Sequence, residues 1–393
     1  MSGRDLFCKP RRAGRGAALT LVFAGVLVAG AATGSFPDSG HPGRRTAQDT
    51  AGATRHEAVE KAAADALADG KSPMEAAQRA VSRSGDRWSA VYSEGEYQEF
   101  EEALDGEYTG VGLSARRERD GRIEVTGVRP GSPAAAAGIR GGDRLRSVDG
   151  ESVDGRPVTE VVSLLRGDAH DAPAGTTVRL GLRRGTRAWT ETLRRARLST
   201  DSVAVSRLPG GDATVIRIAA FTKGSGDLVR TAVRRAPAGG GIILDLRGSS
   251  GGLVTEAVTA ASAFLDGGLV ATYDVDGEQR ALHADSGGDT ARPLVALVDG
   301  GTMSAAEMLT GALQDRGRAV VVGSRTFGKG SVQMPTRLPD GSVAELTVGH
   351  YRTPCGRAVD GRGITPDLDA GARPLERAET VLGGLGDRSR ATR

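Results

Sequence analysis

Ser304 and Lys329, 25 positions apart, are residue types that could carry out acyl-transfer chemistry together. Ser304 follows an apolar run, Pro293 to Val298, that Asp299-Gly300-Gly301 interrupts. Beyond the serine, Ala305, Met308, Leu309, Ala312 and Leu313 recur at helical spacing, which predicts a helix beginning at Ser304. Arg318 to Gly323 reads as a second strand and leads into Thr326-Phe327-Gly328-Lys329-Gly330-Ser331-Val332-Gln333. A hydroxyl on a strand-to-helix turn, with an amine just past the next strand, suggests a serine nucleophile activated by a lysine base. The lysine usage sharpens this. Of 52 basic residues only five are lysine: Lys9, Lys61, Lys71, Lys223 and Lys329. Arginine cannot give up its proton, whereas a desolvated lysine can.

Each of these residues also has a plainer reading. Ser304-Ala305-Ala306-Glu307 fits a capping box, in which the serine caps the helix and Glu307 reciprocates. Gly323 to Lys329 satisfies the first part of a phosphate-binding loop, but Gly330 stands where a magnesium-binding hydroxyl belongs and no helix signal follows. Gln333 lies four residues after Lys329. On a straight strand the two would stand roughly 13 Å apart, so Gln333 orients the lysine only if the chain bends. Gly248-Ser249-Ser250-Gly251-Gly252 precedes another helical pattern, Leu253 to Leu265. Amides at a helix start are natural donors to a developing oxyanion, and a tight glycine turn is the alternative.

The elements that must position these residues lie in a chain of 393 residues, long enough for two or three domains. Residues 1–35 combine a basic flank with an uncharged run, apolar from Ala17 to Ala32, which predicts a signal peptide or membrane anchor. Ala29-Gly30-Ala31 offers a cleavage site. The remainder is then expected outside the cytoplasm, either at the cell membrane or secreted. Residues 36–55 read as a linker and 56–105 as a helical segment that includes Trp88 to Tyr92. Residues 106–198 switch to short strands and turns. In 199–375 strands alternate with helices, the pattern of a largely parallel sheet with helical cover. Residues 376–393 read as a polar, helix-capable tail. A net charge of +3 without a basic-aromatic patch argues against a nucleic-acid partner. Cys8 and Cys355 are the only cysteines and are not expected to pair, and five scattered histidines predict no metal site and no cofactor.

Between Gly106 and Leu198 the order of motifs resembles a PDZ domain. The resemblance rests on Gly110-Val111-Gly112-Leu113 and on GSPAAAAGIRGGDRLRSVDG. It implies that Gly110, Val111, Gly112 and Leu113 form a loop that captures a C-terminal carboxylate, with the substrate peptide pairing to a strand edge.

The longer chain resembles the carboxyl-terminal processing, or tail-specific, serine peptidases. The matching segments are GDRWSAVYSEGEYQEFEEALDGEYTGVGL, DLRGSSGGLVTEAV, SAAEMLTGALQDRGRAVVVG, TFGKGSVQ and YRTPCGRAVDGRGITPDL. The resemblance implies an α/β fold: a crotonase-like αβ catalytic core with an inserted PDZ domain and helical N- and C-terminal parts. It implies that Ser304 is the nucleophile, Lys329 the general base and Gln333 the residue orienting the lysine. The N–H of Ala305 and that of Gly251 or Gly252 would form the oxyanion hole. Ala306 and Cys355 depart from the serines expected there, outside the catalytic roles. The expected partners are unfolded or C-terminally exposed proteins. Two other classes compete, a non-catalytic PDZ adaptor and a crotonase-like acyl-CoA enzyme. The intact Ser304, Lys329 and Gln333 argue against the first, and the export signal against the second.

Overall fold

The computed structural model describes residues 47–166, 172–208, 213–275 and 278–391. The basic-apolar segment of residues 1–35 and the first part of the linker lie outside them. Among the described residues no helix is long and apolar enough to cross a membrane.

In chain order the elements are α1 (Ala47–Ala68), α2 (Pro73–Ser84), β1 (Ala90–Tyr92), α3 (Glu94–Leu104) and β2 (Glu107–Gly110). Next come β3 (Leu113–Arg117), β4 (Ile123–Val128), α4 (Pro133–Ala136), β5 (Arg144–Val148), β6 (Glu151–Ser152), α5 (Val158–Leu165), β7 (Thr177–Arg184) and β8 (Arg187–Arg194). The chain continues through β9 (Ala196–Ser199), β10 (Val203–Arg207), β11 (Thr214–Ile218), α6 (Ser225–Arg235), β12 (Ile242–Asp245) and α7 (Val254–Ala261). After these follow β13 (Leu269–Val275), β14 (Glu278–His283), β15 (Leu294–Val298), α8 (Ala305–Asp315) and β16 (Val320–Gly323). The last elements are β17 (Ser331–Arg337), β18 (Val343–Arg352), β19 (Leu368–Asp369) and α9 (Pro374–Ala391). The described chain forms two compact units, the smaller holding residues 113–165 and 178–193.

The smaller unit is a sheet of order β3-β4-β5-β7-β8, with β6 paired to β5. Val178, Leu180 and Leu182 are buried while Thr177, Arg179 and Arg183 are exposed, the period-two pattern of a one-sided sheet. Asp143 accepts two bonds from the Arg184 guanidinium, at 2.6 and 2.7 Å, which pins β5 to β7.

The larger unit is built on a sheet of order β10-β11-β12-β15-β16-β19, parallel except for β10. Ile242, Leu244, Leu294, Ala296 and Val298 pack with residues of α6, α7 and α8, while Ile243, Val295, Leu297 and Val322 pack against α9. Burial on both faces is why the β12 and β15 sequences are continuous apolar runs. A second, antiparallel sheet has the order β1-β18-β13-β14, with β17 also on β18. Val59, Ala63, Ala77 and Val81 of α1 and α2 pack on its Ala344 and Leu346.

Three sequence expectations need correction. α1 begins at Ala47, inside the presumed linker. Ala47, Gln48, Ala51, Ala53 and Arg55 are strong helix formers, and the intervening Asp49, Thr50, Gly52 and Thr54 gave the stretch a linker's composition. Trp88 to Tyr92 is not helical: Ala90–Tyr92 is a strand paired with Val343–Glu345, because β18 offers an edge for its Val and Tyr. The stretch read as a tail carries α9 as far as Ala391, and this helix sets Ala378 and Leu382 against the central sheet.

Candidate active site

Ser304 is the N-cap of α8 and has φ 53° and ψ −119°, a conformation that costs a non-glycine residue about 1–3 kcal/mol. Its surroundings must therefore hold it. α8 is buried from Ala305 to Leu313, so the helix cannot shift. The Ser304 N–H donates to Glu307 Oε2 at 3.0 Å, and the Glu307 N–H returns to the Ser304 carbonyl at 2.8 Å. The hydroxyl-bearing residue itself is 3% exposed.

Glu307 does more than close the cap. Its carboxylate also accepts from the Thr326 hydroxyl, from Gly328 N at 2.7 Å and from Lys329 N at 2.8 Å. Ser304 and Lys329 thus share one acceptor oxygen. Burial pushes the Glu307 carboxyl upward, whereas these four donors favour the ionised form. Three of the donors are amides that can only donate, so the geometry is that of a carboxylate. The Tyr351 hydroxyl adds a second tie, standing 2.9 Å from the Ser304 carbonyl and 3.2 Å from that of Lys329. With Glu307 on the Gly328 and Lys329 amides, and strand β17 following, this loop lacks the anatomy of a phosphate cradle.

Lys329 is fully buried, and its Nζ has no hydrogen-bond partner. Burial brings its pKa down to about 8, against the upward pull of Glu345, Asp86 and Asp360. The Nζ stands 5.0 Å from the Trp88 ring centroid, and Trp88 in turn meets Phe327 at 5.7 Å. Phe327 is 45% exposed, an apolar ring presented beside the lysine.

Gln333 is buried in β17, where its Nε2 donates to Ser331 Oγ at 2.7 Å and Thr347 Oγ1 at 3.2 Å. Its Oε1 has no partner, and no hydrogen bond joins it to Lys329. The irregularity that the sequence left open is present: Val332 pairs with Gly349 but Gln333 with Thr347, skipping Val348.

The Gly251–Gly252 turn lies against the serine. A Cβ on Gly251 would stand 2.9 Å from Ser304 Cβ and 2.8 Å from the Met303 carbonyl, so only glycine allows this approach. The Phe221 N–H donates to the Gly251 carbonyl at 2.7 Å. Because that peptide unit is planar and trans, the Gly252 N–H points the other way, off Phe221. The Ala305 N–H, at the first turn of α8, has no intrahelical acceptor. Met303 N donates to Ser249 O at 2.9 Å and locks the two loops together.

In the other proposed loop, Gly110 pairs with Ala196, Val111 is buried, Gly112 has φ 79° and Leu113 opens β3. Among the described residues no group of three His, Cys, Asp or Glu side chains could hold a metal ion.

Sequence reasoning missed Trp88, Tyr351 and Glu345. Glu345 had a readable signal: a carboxylate inside the apolar stretch Val343 to Val348, at a position that β18 buries.

Residues 212–370 match the model of peptidase family S41, and residues 124–184 match a PDZ domain. Residues 212–370 form a peptidase family S41 domain. Among curated relatives, this chain is 33% identical over 288 residues to a probable CtpA-like serine protease of Staphylococcus haemolyticus. It is 32% identical over 290 residues to the carboxy-terminal processing protease CtpA of Bacillus subtilis. Each match takes in 72% of this chain but only 56% and 61% of those proteins. A solved structure of a photosystem II D1 C-terminal processing protease is 28% identical, with a TM-score of 0.50, covering 87% of this chain and 98% of that one.

Proposed function

We propose that this chain is a serine endopeptidase that cleaves unfolded or C-terminally exposed proteins, with Ser304 as nucleophile and Lys329 as general base. The observation that carries the reading is Glu307, which ties the Ser304 and Lys329 main chains to one buried oxygen while the lysine Nζ is left without a partner. Neutral Lys329 takes the Ser304 proton as Oγ attacks a peptide carbonyl. The same proton then passes to the leaving amine, and water, activated by the lysine, releases the acyl group. The Ala305 and Gly252 amides are the favoured oxyanion donors, on the peptide-plane argument above, with Gly251 supplying the close approach. Gln333 Oε1 and Lys329 Nζ are a complementary acceptor and donor, which supports an orienting role once substrate adjusts the site. Phe327 and Trp88 would face an apolar substrate side chain.

The parallel sheet of β11, β12, β15 and β16 with its helical cover is consistent with a crotonase-like core. The PDZ domain, through Gly110, Val111, Gly112 and Leu113, would take the substrate's C-terminal carboxylate. Residues 1–35 would place the protein at the cell membrane or export it, with the catalytic part outside the cytoplasm.

The test is hydrolysis of an unstructured peptide. A base with a pKa of about 8 must be neutral to act, so kcat/KM should rise with pH up to about 8 and then level. Ser304→Ala and Lys329→Arg should both abolish turnover while circular dichroism shows an intact fold. A flat pH profile, or an active Lys329→Arg chain, would remove the lysine from this role.

A further inference from the structure

Glu345 is a buried carboxylate that the chemistry above does not use. It is 0% exposed, and neither of its oxygens has a hydrogen-bond partner. An unpaired buried carboxylate is costly, and β18 could hold an apolar residue at that position. Sheet register shows what it faces. Glu345 lies opposite Ala90 on β1 and opposite Pro335 on β17, while Thr347, two residues on, lies opposite Gln333. Residues two apart share a face, so Glu345, Thr347 and Gln333 stand on one side of this sheet. Trp88 lies in the bend before β1, a segment tied to β18 by the Thr347 N–H donating to Ser89 Oγ at 3.0 Å, and its ring carries the Lys329 Nζ at 5.0 Å. Three buried polar groups without partners, Lys329 Nζ, Gln333 Oε1 and the Glu345 carboxylate, therefore belong to adjoining segments of one buried region: β17, the loop before it and β18.

We propose that Glu345 is a positioning residue that sets the protonation of Lys329 through the field across this buried region. Its functional meaning rests on the reading of Lys329 as the base. The two groups lie beyond ion-pair distance, so each acts on the other's charge and not by a shared bond. In a water-poor interior that field is strong. Glu345 ionised favours the ammonium; Glu345 protonated favours the neutral amine that the chemistry needs. The pair then titrates as a unit.

Other charges reach the same space. Asp86 and Asp360 act on Lys329, and Glu101 on Glu345. Tyr92 and Tyr97 are pushed up, first by burial and then by Glu345, while Arg337 pulls Tyr97 down. Burial raises Glu345 itself to about 7, against the pull of Lys329. Its ionisation therefore falls in the range where an exported peptidase would work.

With only five lysines in the chain, the 13Cε resonance of Lys329 can be followed directly, assigned by its loss in Lys329→Met. In Glu345→Gln the Lys329 midpoint should fall by about one unit, since the charge that holds its proton is gone. Glu345→Asp should restore it in part, and the acid limb of kcat/KM should move with it. In the wild-type chain the same resonance should show a second inflection near the Glu345 pKa, a readout that needs no variant to fold. A single inflection in the wild type, or an unchanged midpoint in folded Glu345→Gln, overturns the proposal. Both readouts hold whether or not the chain hydrolyses peptides, so a failure here is distinct from a failure of the Ser304–Lys329 reading.

Discussion

Lys329 is buried without a hydrogen-bond partner, which works against its charged form and therefore against the folded state at neutral pH. Its pKa falls from 10.5 in the exposed reference to about 8 in the fold. Between those values the unfolded chain holds the proton and the folded chain does not, so this contribution to stability falls as pH drops from 10.5 to 8 and then stays constant. The cost at pH 7 is about 3 kcal/mol. Lys329→Met should therefore raise the unfolding midpoint at pH 7, and the gain should shrink as pH climbs toward 10. Calorimetry at the two pH values checks this. At the residue scale Ser304 and Lys329 were readable because their types are chemically special and lysine is scarce here. Trp88 was not, because its role depends on the Lys329 side chain arriving from 241 positions away.

At the scale of elements, the site is a junction between the start of α8 and the loop before β17, and Glu307 is the joint. Glu307→Gln keeps the shape but replaces one acceptor oxygen by a donor. If the amide nitrogen replaces Oε1 it faces Thr326 and Gly328; if it replaces Oε2 it faces Ser304 and Lys329. The Thr326 hydroxyl can turn and accept, so the first arrangement wins and leaves the Gly328 amide unmatched. An unmatched buried donor costs about 1–3 kcal/mol, which urea unfolding should read as a shifted midpoint. kcat should fall more than KM rises if Ser304 and Lys329 act as proposed, because the two lose their common anchor. The capping box was legible in the sequence from its serine and glutamate three apart. Its other bonds were not, since sequence periodicity says nothing about which loop comes to a helix start. Likewise, the apolar runs of β12 and β15 announced buried strands, while α9, polar along much of its length, concealed the small apolar face formed by Ala378 and Leu382.

At the scale of the whole molecule, the proposed carboxylate-binding loop and the proposed acylating site on one chain lead to a distinct expectation. A peptide ending in a free carboxylate and the same peptide amidated present an identical scissile bond. The amidated form should be cleaved with a higher KM, and Gly112→Ala should narrow the difference, since Gly112 holds a φ of 79° that alanine adopts poorly. Equal KM values for the two peptides would detach the PDZ domain from substrate capture.

The shared Glu307 oxygen has one more consequence, for how such an enzyme can be switched. Moving the Lys329 loop gives up the bonds of the Gly328 and Lys329 amides to Glu307, while the Ser304 amide can keep its own bond to Oε2 inside the capping box. A state with the serine cap intact and the lysine displaced therefore forfeits only part of what the assembled junction holds. An effector on that loop would switch the site through the population that has the lysine in place, with the serine left ready.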